Sequence, residues 1–337
     1  MPNPNKLKAS LKATKSARCL FCGTVQGKIV VRGDTFGYPL ADLVCCPLCH
    51  LRWLDPLPSP SRILEFYPDE YYGVQNEKFY PPLEYLLRFI HRLRAEKAIR
   101  LKSNKKRVLD IGCGRGQVLK VLSNRGYECY GTELSSFSAQ GASFTPGLHI
   151  YAKPLLECLF PSCSFGLIIM WHVLEHLPNP REIIQEIFRI LSPGGNLLMC
   201  VPNIESFQAA VAKDHWFHLD LPRHLYHYNP ATLSSLLKSA GFIVIRQHTF
   251  SLEQGPFGLL QSFLNMLGLP PNALYQALHR TWKKQKISLS RALLQSGISL
   301  FSLPFLTLVC SLSSLLGRGG VIEIQAQKPK KPRESAL

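Results

Sequence analysis

Residues 107–116 read Arg-Val-Leu-Asp-Ile-Gly-Cys-Gly-Arg-Gly. An apolar run enters a turn with glycine at alternate positions, Gly112, Gly114 and Gly116. Glycine lets the backbone come close to a ligand where a Cβ would collide. Glu133 ends the next apolar run, roughly 20 residues on, the separation at which a carboxylate can take both hydroxyls of a ribose. These residues predict a nucleoside-bearing ligand. Dinucleotide sites instead space their glycines as glycine-x-glycine-x-x-glycine around a diphosphate. Here Asp110 stands at the mouth of the turn, where it would repel a diphosphate and suit a cation. S-adenosylmethionine (SAM) carries an ammonium and a sulfonium. Asp110, Gly112, Cys113, Gly114, Gly116 and Glu133 are therefore expected to hold SAM.

Those residues need a framework. Residues 107–111 read as one buried strand, and 164–177 resemble the fourth strand of the class I SAM-dependent methyltransferases and the loop after it, Trp171-His172-Val173-Leu174-Glu175-His176. In open α/β sheets ligands gather at the carboxyl ends of strands. Trp171 and His172 are thus expected beside the donor, with His176 close by and Asn203 on the same rim. These segments, with Leu191-Ser192-Pro193-Gly194-Gly195-Asn196-Leu197-Leu198 after them, resemble the class I SAM-dependent methyltransferases. The resemblance covers about residues 105–250 and a last strand near the C-terminus. It implies an α/β fold with a Rossmann-like seven-stranded sheet and SAM as methyl donor. Gly166 stands where that family usually has Asp.

Methyl transfer is a displacement at carbon, and it often needs a base to take a proton from the acceptor. Histidine suits that work because it titrates near neutrality. His215, His218, His224 and His227 fall within 13 residues, with Arg223 among them. His224 is expected as base or acceptor anchor, with His172 or His176 second and Arg223 holding an anionic group on the acceptor. For any one histidine, a packed ring or a cap is the plainer explanation. The loop also resembles that of some ubiquinone-pathway O-methyltransferases, which implies possible metal ligation by His172, Glu175 and His176.

A second chemistry precedes the first in the chain. Cys19-Leu20-Phe21-Cys22 and Cys46-Pro47-Leu48-Cys49 are cysteine-x-x-cysteine knuckles 23 residues apart. Two knuckles set four thiolates around one tetrahedral ion, so Cys19, Cys22, Cys46 and Cys49 predict a structural zinc site without an open position, with Cys45 a spare. Strand-like runs at 28–31 and 40–44 suggest a zinc ribbon. With the proline- and tyrosine-rich stretch that follows, it resembles a bacterial group of methyltransferases with an N-terminal zinc-binding module. Eleven cysteines and a polar, basic start without an apolar core predict reduced thiols and a cytoplasmic protein.

Residues 83–101 read as a helix with apolar positions at Leu83, Leu86, Leu87, Ile90 and Leu93 and a basic opposite face of Arg88, Arg92, Arg94, Lys97 and Arg100. That basic face is expected in solvent or on a membrane. The net charge of +17 points to an anionic partner, phospholipid, nucleic acid or a phosphorylated substrate, although solubility alone can account for it. Between the expected strands six (242–245) and seven (321–326) lie two charge-free stretches, 254–278 and 292–317, around a basic block at Arg280, Lys283, Lys284, Lys286 and Arg291. Either stretch reaches the ~20 residues of a bilayer span. Both strands must meet in one sheet, however, and a hairpin would carry the basic block across, against the positive-inside tendency. Helices lying in the membrane interface are expected, on the inner face of the cytoplasmic membrane. A cap over the acceptor pocket or a dimer surface is the alternative.

The expected division is a basic tail (1–18), a zinc ribbon (19–60), a linker with the basic helix (61–104), a SAM-binding core (105–249), an apolar helical insertion (250–318), a final core strand (319–328) and a tail (329–337). The whole predicts a methyltransferase for a small-molecule, saccharide or lipid-linked acceptor. An RNA methyltransferase also fits the zinc module and the charge, but the chain lacks the asparagine-proline-proline-tyrosine loop used on exocyclic base nitrogens. A non-catalytic binding protein on the same fold would not need Asp110 and the glycine turn intact.

Overall fold

The computed structural model describes residues 18–24, 27–67, 79–101, 103, 105–143, 145–268, 272–278 and 289–330. Most of both expected tails, much of the tyrosine-rich linker, and Arg280, Lys283, Lys284 and Lys286 of the basic block lie outside them.

The chain opens with three short strands, β1 (Lys28–Val31), β2 (Asp42–Cys45) and β3 (Arg52–Asp55), then helices α1 (Pro60–Glu65) and α2 (Pro81–Ile99). Strands β4 (Arg107–Ile111), β5 (Glu128–Thr132) and β6 (Leu148–Tyr151) alternate with α3 (Gln117–Ser123) and α4 (Ser136–Ser143). Then come β7 (Phe165–Trp171), α5 (Pro180–Ile190), β8 (Leu191–Pro202), α6 (Phe207–Ala212), β9 (Tyr226–His227), α7 (Pro230–Ser239) and β10 (Ile243–His248). Helices α8 (Gly255–Met266), α9 (Ala273–Leu278) and α10 (Leu289–Leu315) precede β11 (Val321–Gln327).

Seven strands form one sheet in the order β10-β11-β8-β7-β4-β5-β6. All neighbours are parallel except β11, which runs against both β10 and β8. This is the expected seven-stranded α/β sheet. Strand β7 is buried at six of its seven positions, as a central parallel strand covered on both faces must be. Because β4 lies between β5 and β7, the chain changes direction across the sheet there and leaves a crevice at the carboxyl ends of β4 and β7.

At Gly166 a Cβ would lie 2.1 Å from Ser103 Oγ and 2.2 Å from the Lys105 carbonyl oxygen. The segment entering the sheet occupies the space that the family's Asp would need.

A second sheet holds β1, β2, β3 and β9, all antiparallel. Its last strand comes from the histidine-rich segment, with Arg52 opposite His227 and Trp53 opposite Tyr226.

Helix α2 faces the other way from its pattern. Tyr85, Leu86, Phe89 and Leu93 are exposed, while Glu84, Ala95 and Ala98 are buried. Arg94 and Lys97, expected in solvent, turn inward and bind Glu253 and Glu323. Small alanines let the helix sit close to the core, and the inward cations meet carboxylates placed there by distant segments. Buried charge needs such partners.

In the insertion, α8 is mostly buried and α10 packs on it. α8 lies against the histidine-rich segment. Phe217 N donates to Ser262 Oγ at 2.9 Å, Asn265 Nδ2 donates to the His215 carbonyl at 3.1 Å, and a Cβ on Gly258 would lie 2.4 Å from His218 Nε2. The insertion therefore caps the histidines, while the far side of α10 exposes Phe305, Leu308, Leu312 and Leu315. Among the described residues no helix is long and apolar enough to cross a membrane.

Candidate active site

Asp110, the penultimate residue of β4, is almost fully buried. Burial pushes its pKa up to about 7, against the opposing pull of Arg94, with Glu133 adding to the rise. The chain then turns through Gly112, Gly114 and Gly116, all with positive φ, a conformation in which glycine alone is unstrained. Val173 closes over the turn so tightly that a Cβ on Gly112 would lie 2.4 Å from it. Glu133, just past β5, accepts from Gly114 N at 2.9 Å and from Ser135 N at 3.0 Å. Burial raises its pKa too, opposed by those backbone donors.

Asp110, Gly112, Cys113, Gly114 and Trp171 border a cleft of about 280 Å³ whose wall also includes Glu84, Arg88, His91, Arg94, Arg115 and Glu253, while Gly116 and Glu133 lie behind that wall. That is close to the ~300 Å³ lower end of small-molecule sites. Trp171 Nε1, Arg94 Nε and His91 Nδ1 are buried without hydrogen-bond partners among the described residues. The cleft thus offers carboxylates, an open glycine turn and unused polar atoms, and these fit a zwitterionic nucleoside such as SAM.

The next residue after Trp171 belongs to a different neighbourhood. His172 has φ +55, uncommon for a residue with a side chain and often found where function holds the backbone. Its Nδ1 lies 3.3 Å from Glu175 Oε1, and its ring is parallel to that of His218 at 6.4 Å. Glu175 is 1% exposed, and its Oε2 has no partner. His176 Nδ1 lies 2.8 Å from the Tyr67 hydroxyl and 3.1 Å from the Arg223 carbonyl oxygen. The His224 ring stands 4.6 Å from that of His176. His172, His176 and His224 are thus gathered by one cluster, and one atom each of Glu175, His176 and His224 lie within 4.8 Å of one another.

His224 Nδ1–H donates to the His218 carbonyl at 2.8 Å, which leaves Nε2 as the ring's lone-pair nitrogen. Burial, then the neighbouring His176 and His227, hold its pKa well below the usual imidazole value. It is neutral at physiological pH. Asp220 Oδ2 lies 3.7 Å from that Nε2. Arg223 does not face the cluster as an open fork. Its Nε donates to both Asp220 oxygens, at 3.2 and 3.0 Å, and its NH2 also binds Oδ1. Arg223 therefore fixes the carboxylate beside His224. Asn203, expected on the rim, is fully buried and donates to the Gly319 carbonyl at 2.9 Å.

The four cysteines converge. Cys19 and Cys49 sulfurs are 3.4 Å apart, Cys22 and Cys46 3.3 Å, Cys22 and Cys49 3.9 Å, and all four lie within 4.8 Å of one another. A tetrahedral zinc with bonds of about 2.3 Å sets its sulfurs roughly 3.8 Å apart, so the set fits such an ion. Cys45 stays outside and points to the Cys46 carbonyl. The cluster is coupled to the histidine segment through the shared sheet and through Asn229 Nδ2, which donates to the Cys49 carbonyl at 3.3 Å.

Sequence reasoning missed Arg94, Glu253, His91, Tyr67 and Asp220. Arg94 read as part of a solvated face. Glu253 carried a signal, since it is the last carboxylate before a long charge-free stretch.

Residues 77–247, half of the chain, match a family model described as a methyltransferase domain. A protein of Oryza sativa subsp. japonica named as a probable chloroplastic tocopherol O-methyltransferase is 24% identical over 222 residues, 61% of this chain and 60% of its own length. The chain thus spans about three-fifths of that relative. A ubiquinone biosynthesis O-methyltransferase of Paracidovorax citrulli is 27% identical over 165 residues, 45% of this chain and 68% of its own. Among solved structures, the cyclase SpnF superposes with a TM-score of 0.50 at 17% identity, covering 82% of this chain and 98% of that one, which shows a shared fold.

Proposed function

The chain belongs to the class I SAM-dependent methyltransferases, and on that premise we propose that it methylates a small-molecule, saccharide or lipid-linked acceptor at a membrane surface. One observation carries the reading. Trp171 lies in the wall of the donor cleft, and its chain neighbour His172 lies in the histidine cluster under the cap. Donor side and acceptor side meet within one residue step.

When bound, SAM supplies an electrophilic methyl carbon on a sulfonium. The chain's own residues do the rest. Asp110, Cys113 and the glycine turn would hold the donor, Glu133 would take the ribose, and Trp171 would border it. His224 Nε2 receives the acceptor's proton, with His172 and His176 beside it. Asp220 and Glu175 flank the imidazolium that forms, and Arg223 keeps Asp220 in place. The cap of α8 and α10 keeps water from the cluster. The four cysteines hold a structural zinc ion outside the reaction. The division into a metal-bearing module (19–60), a core (105–249 with 319–328) and a capping insertion (250–318) follows from these roles.

The membrane component is supported by apolar side chains that point away from the core, Tyr85, Leu86, Phe89 and Leu93 on α2 and Phe305, Leu308, Leu312 and Leu315 on α10. The exposed Arg88 and Arg92 on α2 suit anionic headgroups. The relatives named for tocopherol and ubiquinone biosynthesis support an acceptor of low molecular mass.

The test supplies SAM with a labelled methyl group to the protein and a cell extract, then separates lipid, aqueous and RNA fractions. Label in the lipid or small-molecule fraction is expected, lowered by His224→Ala about 10²-fold or more. Label confined to RNA would sink the acceptor assignment. In parallel, the protein should pellet with anionic vesicles, and Leu86→Ser/Phe89→Ser should abolish pelleting without lowering the melting temperature.

A further inference from the structure

A cavity of about 510 Å³, roomier than the donor cleft and sharing no lining residue with it, lies where the small sheet meets α6. Strands β1 and β3 supply one wall through Val31 and Arg52, and α6 with the turn after it supplies the other through Ala209, Ala210 and Lys213. The two alanines leave the space that longer side chains would fill. Three cations, Arg32, Arg52 and Lys213, line the cavity against one carboxylate, Asp214. Arg32 and Lys213 are exposed and Arg52 is half-buried. Among the described residues none of the three forms an ion pair, and Asp214 instead lies 3.9 Å from His215 Nε2. The Arg52 guanidinium meets the Cys45 thiol, a weak acceptor that cannot satisfy it. Like charges around one cavity repel one another, and an anion between them turns that repulsion into attraction. The backbone of Lys213 adds a second sign. Its φ of +51 and ψ of −119 match the first central position of a type II′ turn, where glycine is the usual residue. A lysine held there is strained, and such strain gathers at ligand clamps.

We infer that this cavity binds a phosphate ester, its phosphate held between the Arg52 guanidinium and the Arg32 and Lys213 side chains. A phosphate monoester carries about two negative charges at neutral pH, which matches three cations set against one carboxylate. Guanidinium forks take phosphate oxygens in pairs, and an ammonium adds a point charge. Val30, Val31 and Leu219 give the cavity an apolar side for the ester's carbon skeleton, and the volume suits a whole small molecule rather than a bare ion. The site goes beyond the methyl-transfer reading and does not depend on it. Its walls also reach the histidine-rich segment. The Leu219 carbonyl accepts from His227 Nε2 at 2.9 Å, and Arg52 stands opposite His227 across the β3–β9 pair. A phosphate bridging Arg32 and Arg52 to Lys213 ties the small sheet to α6 and steadies the strand that closes that sheet.

Calorimetric titration of the full chain with glycerol 3-phosphate at low ionic strength tests this, with glycerol as the comparison. One-to-one binding of the phosphate ester with a Kd of about 1 mM or tighter is expected, and none of glycerol. Arg32→Ala/Lys213→Ala should weaken it by about tenfold or more and leave S-adenosylhomocysteine affinity unchanged. Arg92→Ala/Arg100→Ala removes the same charge from exposed positions on and just after α2, and should change it by less than about twofold. Lys213→Gly should raise the melting temperature by relieving the backbone while still weakening glycerol 3-phosphate, a combination that a merely structural lysine would not give. If the double variant does not fold, Lys213→Gly carries the comparison. Vesicles with and without phosphatidic acid, which bears the same headgroup, separate two sources of the phosphate. Pelleting with phosphatidic acid that falls in Arg32→Ala/Lys213→Ala assigns the site to a lipid headgroup. Pelleting that persists in that variant while glycerol 3-phosphate binding falls assigns it to a water-soluble ester. Equal losses in the two double variants would show only the diffuse field of a basic protein, and failure to bind either probe would show no site. Either result overturns the proposal.

Discussion

Asp110 is a carboxyl group at odds with its surroundings. With a folded pKa of about 7 against roughly 3.9 in an unfolded chain, it keeps a proton in the fold that the unfolded state has already lost. A group of this sign favours the fold in acid, and its contribution declines as pH rises from about 4 to about 7. Asp110→Asn should therefore raise the melting temperature of the ligand-free protein above pH 7, on the order of 5 °C, with no gain at pH 4. A cationic ligand reverses the balance because it favours the ionised carboxylate. S-adenosylhomocysteine affinity should strengthen as pH rises through about 7 with release of a proton, and Asp110→Asn should flatten that dependence. Calorimetry in buffers of different ionisation enthalpy measures both. Affinity independent of pH across this range would place the ligand away from Asp110.

Among the elements, the parallel strands were the most legible. β7 is an unbroken apolar run, β4 is apolar but for Arg107 and Asp110, and the turn between β4 and α3 is spelled in glycine. Asp110 and the glycine turn could be placed from those features, and Trp171 from the family resemblance. The orientation of α2 could not. Its pattern offers a wide apolar stripe and a basic stripe, and the usual rule buries the apolar one. What draws Arg94 and Lys97 toward the core is a pair of carboxylates, Glu253 and Glu323, that lie far along the chain. No local window contains them. The meeting of His176, His224 and Tyr67 was hidden for the same reason, since it depends on how the histidine segment folds back on the first residues. Gly166 is the opposite case, a departure from family pattern that packing explains outright. Gly166→Asp, which restores the family's usual residue, should destabilise the fold by about 3 kcal/mol or more, because the new Cβ meets a backbone carbonyl and Ser103. Chemical denaturation reads this directly, and a neutral result would mean that the segment at 103–105 can move aside.

At the scale of the molecule, the cysteine cluster and the histidine-rich segment are parts of one construction. β3 pairs with β9, Leu54 N donates to the Leu225 carbonyl at 3.0 Å, and Arg181 Nε donates to the Leu20 carbonyl at 2.7 Å. The proposed donor cleft, by contrast, is built on the larger sheet. Removal of zinc by a chelator, or Cys46→Ser, should therefore reduce methyl transfer by about 10²-fold while S-adenosylhomocysteine affinity changes by less than about threefold. Hydrogen exchange at 224–228 should rise in step. Full activity of the metal-free protein would separate the two parts.

The shared sheet also sets an order of events in the life of the chain. A strand that must wait for Tyr226 cannot join β3 while the ribosome has made only the first hundred residues. The knuckles can gather their ion early, but the sheet around them keeps an open edge until most of the protein has emerged. Pairing across such a separation is slow, because a long loop closes before its contacts can repay the lost freedom. An open edge is also a template for mispairing. The interval between synthesis of β3 and of β9 is thus a vulnerable moment for the nascent protein, with the β3 edge waiting for its partner.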